Sequence, residues 1–213
     1  MNALVAAATP LFASAFIFAG APISWLEIVA FVLAVAMVVL NIRVNVFAWP
    51  LAIASSLLYF LLFWKSRLYG DAGLQIFFAA IAAWGWWQWL RGTDSAGHAL
   101  VVRTLEPKKG IAALVLFALA WPTTALFLRR YTDTDVPWWD AFTTAASVLG
   151  QWLLGRKYVE NWPAWLIVNV VATALFAYKG LWLTVLLYAL FAVMSVLGWR
   201  AWRRLLPGGV ASA

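Results

Sequence analysis

Long apolar runs divided by short polar breaks set the plan of this 213-residue chain. A membrane-spanning helix needs about 20 apolar residues, with a range of roughly 17 to 25. Seven runs are read as spans: Trp25–Leu40, Val46–Trp64, Ala72–Leu90, Ile111–Leu128, Trp139–Leu154, Trp162–Tyr178 and Leu181–Trp199. Trp49-Pro50 opens the second, and Pro122 is expected to kink the fourth. Two polar stretches flank the fourth span. Arg91–Lys109 holds His98 and leads into Glu106-Pro-Lys-Lys-Gly110, and Arg129–Val136 is charged. A further run over residues 4–20 is short, contains Pro10 and stops at Gly20-Ala-Pro22. It has no preceding Lys or Arg, so it lacks the basic start of a signal peptide. It predicts an interfacial or partly inserted N-terminal helix, with an extra span as the alternative.

The two ends of the chain match without gaps at an offset of 113 residues. Trp25 pairs with Trp138, Arg43 with Arg156, Trp49-Pro50 with Trp162-Pro163, Gly85-Trp86 with Gly198-Trp199, Trp89 with Trp202 and Arg91 with Arg204. Apolar identities recur by chance easily; these do not. Three spans therefore recur after one linker span, and the linker crossing returns the chain to its starting side. The expected fold is an all-α integral membrane protein of seven helices in a 3+1+3 arrangement of parallel repeats, a plan that places a substrate site at the repeat interface. The segments are 1–22 (N-terminal helix), 23–91 (first repeat), 92–137 (loop and linker helix), 138–204 (second repeat) and 205–213 (tail).

Composition supports the membrane assignment: 66% of residues are hydrophobic and 11% charged, against about half and about a quarter in soluble domains. The net charge of +7 reads as orientation signal rather than as a nucleic-acid surface. Arg43, Arg91, Arg103, Lys108, Lys109, Arg156, Lys157, Arg200, Arg203 and Arg204 gather on one side, against Lys65, Arg67, Arg129, Arg130 and Lys179 on the other. The first side is expected to be cytoplasmic, and the C-terminus with it. Cysteine is absent and histidine occurs once, so thiolate chemistry is excluded and no metal site or cofactor is expected.

Candidate chemistry lies in the uncharged polar and aromatic residues. Trp162, Trp165 and Asn169, at i, i+3 and i+7, are expected on one helix face. An unpaired amide in hydrocarbon costs several kcal/mol, so Asn169 contacts either a ligand or a neighbouring helix. Gln75 and Tyr188 occupy equivalent repeat positions. Gln151, Gln88, Trp84, Trp87 and Tyr59 complete the candidate lining, with Ser56, Thr144 and Ser147 as weaker candidates because hydroxyls bond their own backbone. Every acid falls at a span end or in a loop. Ion-coupled carriers hold ionisable groups within the membrane, so this pattern favours uncoupled movement, and no carboxylate pair or Ser-His-Asp set supports a hydrolase. Indole faces attract cations and amides bond hydroxyls in both senses, which suits a planar cationic ring bearing a sugar.

Arg156-Lys-Tyr-Val-Glu-Asn-Trp162 with Trp165 and Asn169, Leu68-Tyr-Gly-Asp-Ala-Gly-Leu-Gln75, and Trp84-Gly-Trp-Trp-Gln-Trp89 resemble the PnuC family of vitamin transporters, relatives of the SWEET sugar transporters. The resemblance covers roughly Ser24 to Arg204. It implies a homotrimer in the bacterial inner membrane that imports nicotinamide riboside by facilitated diffusion, with a separate cytoplasmic kinase trapping the product. Thiamine or riboflavin is the alternative cargo, and a membrane scaffold is the non-transport alternative. Ala52 departs from the asparagine of some members.

Overall fold

The computed structural model describes residues 9–18, 20–65, 69–94, 96–132, 134–180 and 182–206. Seven helices follow an N-terminal hairpin: α1 Trp25–Ile42, α2 Ala48–Lys65, α3 Tyr69–Arg91, α4 Pro107–Tyr131, α5 Pro137–Gly155, α6 Asn161–Tyr178 and α7 Trp182–Arg203. Five contain the expected run whole; α2 starts two residues after the expected Val46, and α7 starts at Trp182, the expected Leu181 lying outside the described residues. By length and composition α1, α4, α6 and α7 can each cross a membrane, and α2 is apolar over the shorter stretch Ala48–Leu62. Gly, Gln and Trp dilute the hydropathy of α3 and α5.

The N-terminal helix expected over 4–20 is corrected over the residues described; 1–8 lie outside them. Thr9–Phe12 form a 3-10 turn, and β1 Ser14–Phe18 pairs antiparallel with β2 Ala21–Ser24. Pro10 lacks the N–H that a helix interior needs. Phe16-Ile17-Phe18 favours a pleated backbone, and Gly20 takes φ +84° in the connection. Pro22 is tolerated because a two-stranded ribbon has only edges. The hairpin leads straight into α1. Ser24 caps that helix by a capping box, its Oγ accepting from Glu27 N (3.3 Å) while Glu27 Oε2 accepts from Ser24 N (2.8 Å).

The chain forms two compact units, Met1–Leu90 and Arg91–Ala213. In the first, α1 packs on α2, where Ser55 Oγ donates to Ala30 O (3.3 Å), and Trp49 carries α2 onto α3. In the second, α4, α5, α6 and α7 pack in sequence order. Pro122 sits inside α4, which continues to Tyr131. Trp121 Nε1 donates to Trp138 O (2.9 Å), joining α4 to the start of α5, and Phe142 stands edge-on to both Phe117 and Trp121.

The 113-residue offset reappears in backbone geometry. α1 and α5 end in the same Schellman motif. Val44 N donates to Asn41 O and Lys157 N to Leu154 O, both at 3.0 Å; Asn45 N donates to Leu40 O and Tyr158 N to Leu153 O, both at 2.9 Å. Val44 (φ +53°) and Lys157 (φ +56°) hold the left-handed position that glycine usually fills. These are the only non-glycine residues with positive φ among those described. A side chain there costs roughly 1–2 kcal/mol, so both copies of the turn accept the same local strain to re-enter a helix at Trp49 and Trp162.

Candidate functional site

Trp162 and Trp49 open α6 and α2, and each indole fills a notch that glycine leaves on the following helix. A Cβ on Gly198 would lie 2.5 Å from Cδ2, Cε2 and Cε3 of Trp162, and one on Gly85 would lie 2.3 Å from two ring carbons of Trp49. Trp202 stands edge-on to Trp162 (centroids 5.6 Å, 87°), as Trp89 does to Trp49 (5.5 Å, 86°). Both indoles are nearly fully buried and neither Nε1 has a hydrogen-bond partner among the described residues. Trp162 is therefore a packing residue joining α6 to α7.

The single face expected for Trp162, Trp165 and Asn169 divides. Asn169 is buried, and its Nδ2 donates to Ser195 Oγ on α7 (3.2 Å). Ser195 in turn donates to Phe191 O (2.8 Å), and Thr173 Oγ1 donates to Asn169 O (2.7 Å). Trp165 instead lies against α5, where a Cβ on Gly150 would come within 3.0 Å of its ring. Three residues advance a helix to within about 60° of a full turn. Because α6 runs between α5 and α7, that angle is enough to change neighbours. Asn169 has spare capacity all the same: its side-chain Oδ1 takes no donor among the described residues.

The other expected residues scatter. Tyr188 packs between Phe176 of α6 (centroids 5.1 Å) and Phe191 of its own helix (6.0 Å). Gln75 and Gln151 are half-buried, and their amides make no hydrogen bond among the described residues; Gln151 follows the glycine that receives Trp165. Gln88 is buried, and Trp84, Tyr59, Ser56 and Thr144 are half-buried. Ser147 is buried in α5. Trp87 is 55% exposed, beside exposed Trp86, near the end of α3, where an interfacial anchor would also stand. Sequence reasoning missed Ser195 as the partner of Asn169 and Gly150 as the seat of Trp165. A lone serine in an apolar run and an isolated glycine carry no signal of their own; Gly85 and Gly198 could have been found from their shared offset to Trp49 and Trp162.

Charge stays at the helix ends, and α6 carries none. The polar loop before α4 folds back onto the α5–α6 turn. Arg103 N donates to Lys157 O (3.1 Å) and Val159 N to Arg103 O (2.9 Å). Lys157 Nζ donates to Leu100 O (2.9 Å), and Leu105 N donates to Glu160 Oε2 (3.0 Å). The Arg103 guanidinium lies 4.8 Å from the Tyr158 ring centroid. Burial in this contact pulls the Lys157 ammonium below its ordinary pKa. In the loop itself the backbone N–H of His98, and then that of Ala96, hold the Asp94 carboxyl below the usual aspartate range.

Residues 24–204 match the sequence profile of a family described as nicotinamide mononucleotide transporter. The riboflavin/roseoflavin transporter RibM of Streptomyces davaonensis is 30% identical over 88% of this chain and 89% of its own. The nicotinamide riboside transporter PnuC of Escherichia coli is 24% identical over 86% and 87%. A crystal structure of the vitamin B3 transporter PnuC shares the fold, with a TM-score of 0.69 at 21% identity over 85% of this chain and 81% of that one. With seven helices, charge confined to their ends and a match running from the cap of α1 to the end of α7, the chain belongs to the nicotinamide mononucleotide transporter (PnuC) family, a family of membrane transporters and not of enzymes.

Proposed function

We propose that this protein carries nicotinamide riboside across the bacterial inner membrane by facilitated diffusion, as a homotrimer of seven-span chains in 3+1+3 order with the C-terminus in the cytoplasm. A separate cytoplasmic kinase then traps the product. The observation that carries the reading is the Asn169 carboxamide, half-committed to Ser195 with its Oδ1 free of a donor among the described residues, buried in a helix with no charged residue. Such an amide binds ribose hydroxyls in both senses, and nothing ionisable on that helix would couple the movement to protons. Trp165 is half-buried, which leaves it surface for the pyridinium, and Gln151 adds an uncommitted amide; Gln75 offers another in the first unit. The expected result is saturable uptake into liposomes that is unchanged by a protonophore; collapse of uptake with the proton gradient rejects the uncoupled mechanism.

Riboflavin is the second reading, favoured by the 30% identity with RibM over nearly nine-tenths of both chains. Competition binding on purified protein with nicotinamide riboside, riboflavin and thiamine separates them. Displacement by riboflavin alone replaces the first reading with the second.

A further inference from the structure

One cavity in the second unit is lined by none of the candidate site residues above. It has a volume of about 330 Å³ and is bounded by α4, α5, α6 and the loop before α4. Gly110, Ala113, Ala146 and Ala164 open it, and Phe117 and Phe142 are among its aromatic walls. A cavity of about 150 Å³ accepts a six-carbon ring, so this one has room for about a dozen carbon atoms by the same measure. Glu160 is its one ionisable lining residue, and its Oε2 already accepts from Leu105 N (3.0 Å). Alongside, α4 presents Leu114, Val115, Leu116 and Leu119 outward, each more than half exposed.

The end of this groove at Gly110 is basic. Lys108 and Lys109 precede Gly110 directly. Arg103 lies two residues before the lining residue Leu105 and is joined by backbone bonds to Lys157 and Val159, and Arg156 adjoins that turn. Against these five cations stand Glu106, bound to Lys109 (2.7 Å), Glu160, and Asp94, which is near enough to Arg103 to feel its charge.

We propose that this groove holds one acyl chain of an anionic phospholipid whose phosphate sits among Lys108, Lys109 and Arg103. In a bilayer an acyl chain gains nothing by moving from lipid into an equally apolar groove. The groove therefore fixes position, and the head-group charge supplies the preference, at up to about fivefold per basic residue and less for one already paired with an acid, as Lys109 is with Glu106. Anionic lipid is thus selected over zwitterionic lipid with the same tails.

The test is native mass spectrometry of the purified full-length protein, exchanged into phosphatidylglycerol or phosphatidylcholine of identical chains. Wild type is expected to retain phosphatidylglycerol about tenfold more than phosphatidylcholine. Lys108→Gln with Lys109→Gln, both at the surface, should reduce that preference by about fivefold or more. Ala113→Phe, which fills the groove, should lower retention of both lipids. Equal retention of the two lipids by wild type overturns the proposal. So does unchanged retention in Ala113→Phe, including the case where that variant instead alters the number of chains in the complex, which would make the groove an interface between copies.

Discussion

Trp162 rests its indole on Gly198, at a distance that leaves no room for even a methyl group. This contact fixes how closely α6 approaches α7, and Trp49 on Gly85 does the same for α2 and α3. Gly198→Ala and Gly85→Ala should each destabilise by about 1–3 kcal/mol, the usual cost of overpacking. Gly73→Ala serves as control, since a Cβ there meets nothing within 4 Å. Thermal unfolding in detergent reads the difference; a melting temperature unchanged in both notch variants would show that the indoles are not held.

Asn169 and Ser195 separate structure from binding. Ser195→Ala removes one interhelical hydrogen bond, worth about 0.6 kcal/mol on average in membrane bundles, and should leave ligand affinity within about twofold. Asn169→Ala should weaken ligand binding by about three- to tenfold, the range of one hydrogen bond. Isothermal titration on both variants checks this. Equal losses would mean that Asn169 acts only through its α7 partner.

The two left-handed turn residues differ in what glycine would do. Val44→Gly relieves the strain of a β-branched residue at φ +53°, offset by about 0.5–1 kcal/mol of added chain entropy. Its expected effect lies between neutral and about 1 kcal/mol stabilising. Lys157→Gly relieves the same strain but loses the bond from Nζ to Leu100 O, so it should be less stable than Val44→Gly by about 1 kcal/mol. Chemical denaturation of the pair gives the comparison, and the reverse order would refute it.

Glu160 anchors the loop that precedes α4. Glu160→Ala leaves the N–H of Leu105 without its acceptor, and hydrogen exchange across residues 100–105 should quicken by about tenfold or more, as expected for a bond to a charged group. Exchange no faster than in wild type would place the loop's anchor in the Arg103 bridge and the Lys157–Leu100 bond instead.

Asp94 makes the tip of that loop sensitive to acid. Its folded-state pKa is depressed, chiefly by the N–H of His98, so its contribution is present above the ordinary aspartate pKa and is lost as pH falls through the depressed value. The amide resonances of His98 and Ala96 should therefore shift together only below the usual aspartate range. Asp94→Asn should abolish that transition.

The sequence alone determined the seven helices, the membrane environment and the 113-residue offset, because each rests on local hydropathy or on residue identity at fixed spacing. It also placed Asn169 correctly as buried, since an amide in an apolar run has nowhere else to go. Tertiary structure decided which neighbour each face meets. Trp165 turned to Gly150 while Trp162 turned to Gly198, a choice made by the placement of α5 and α7 around α6 and not by the periodicity of α6. It also decided that Ser14–Phe18 and Ala21–Ser24 pair as a hairpin, beside which Trp25 N donates to Ala13 O at the start of α1, and that a polar loop docks on a turn more than fifty residues away. Those outcomes depend on backbone groups finding partners across the chain, and hydropathy along the chain does not encode which partner a backbone group finds.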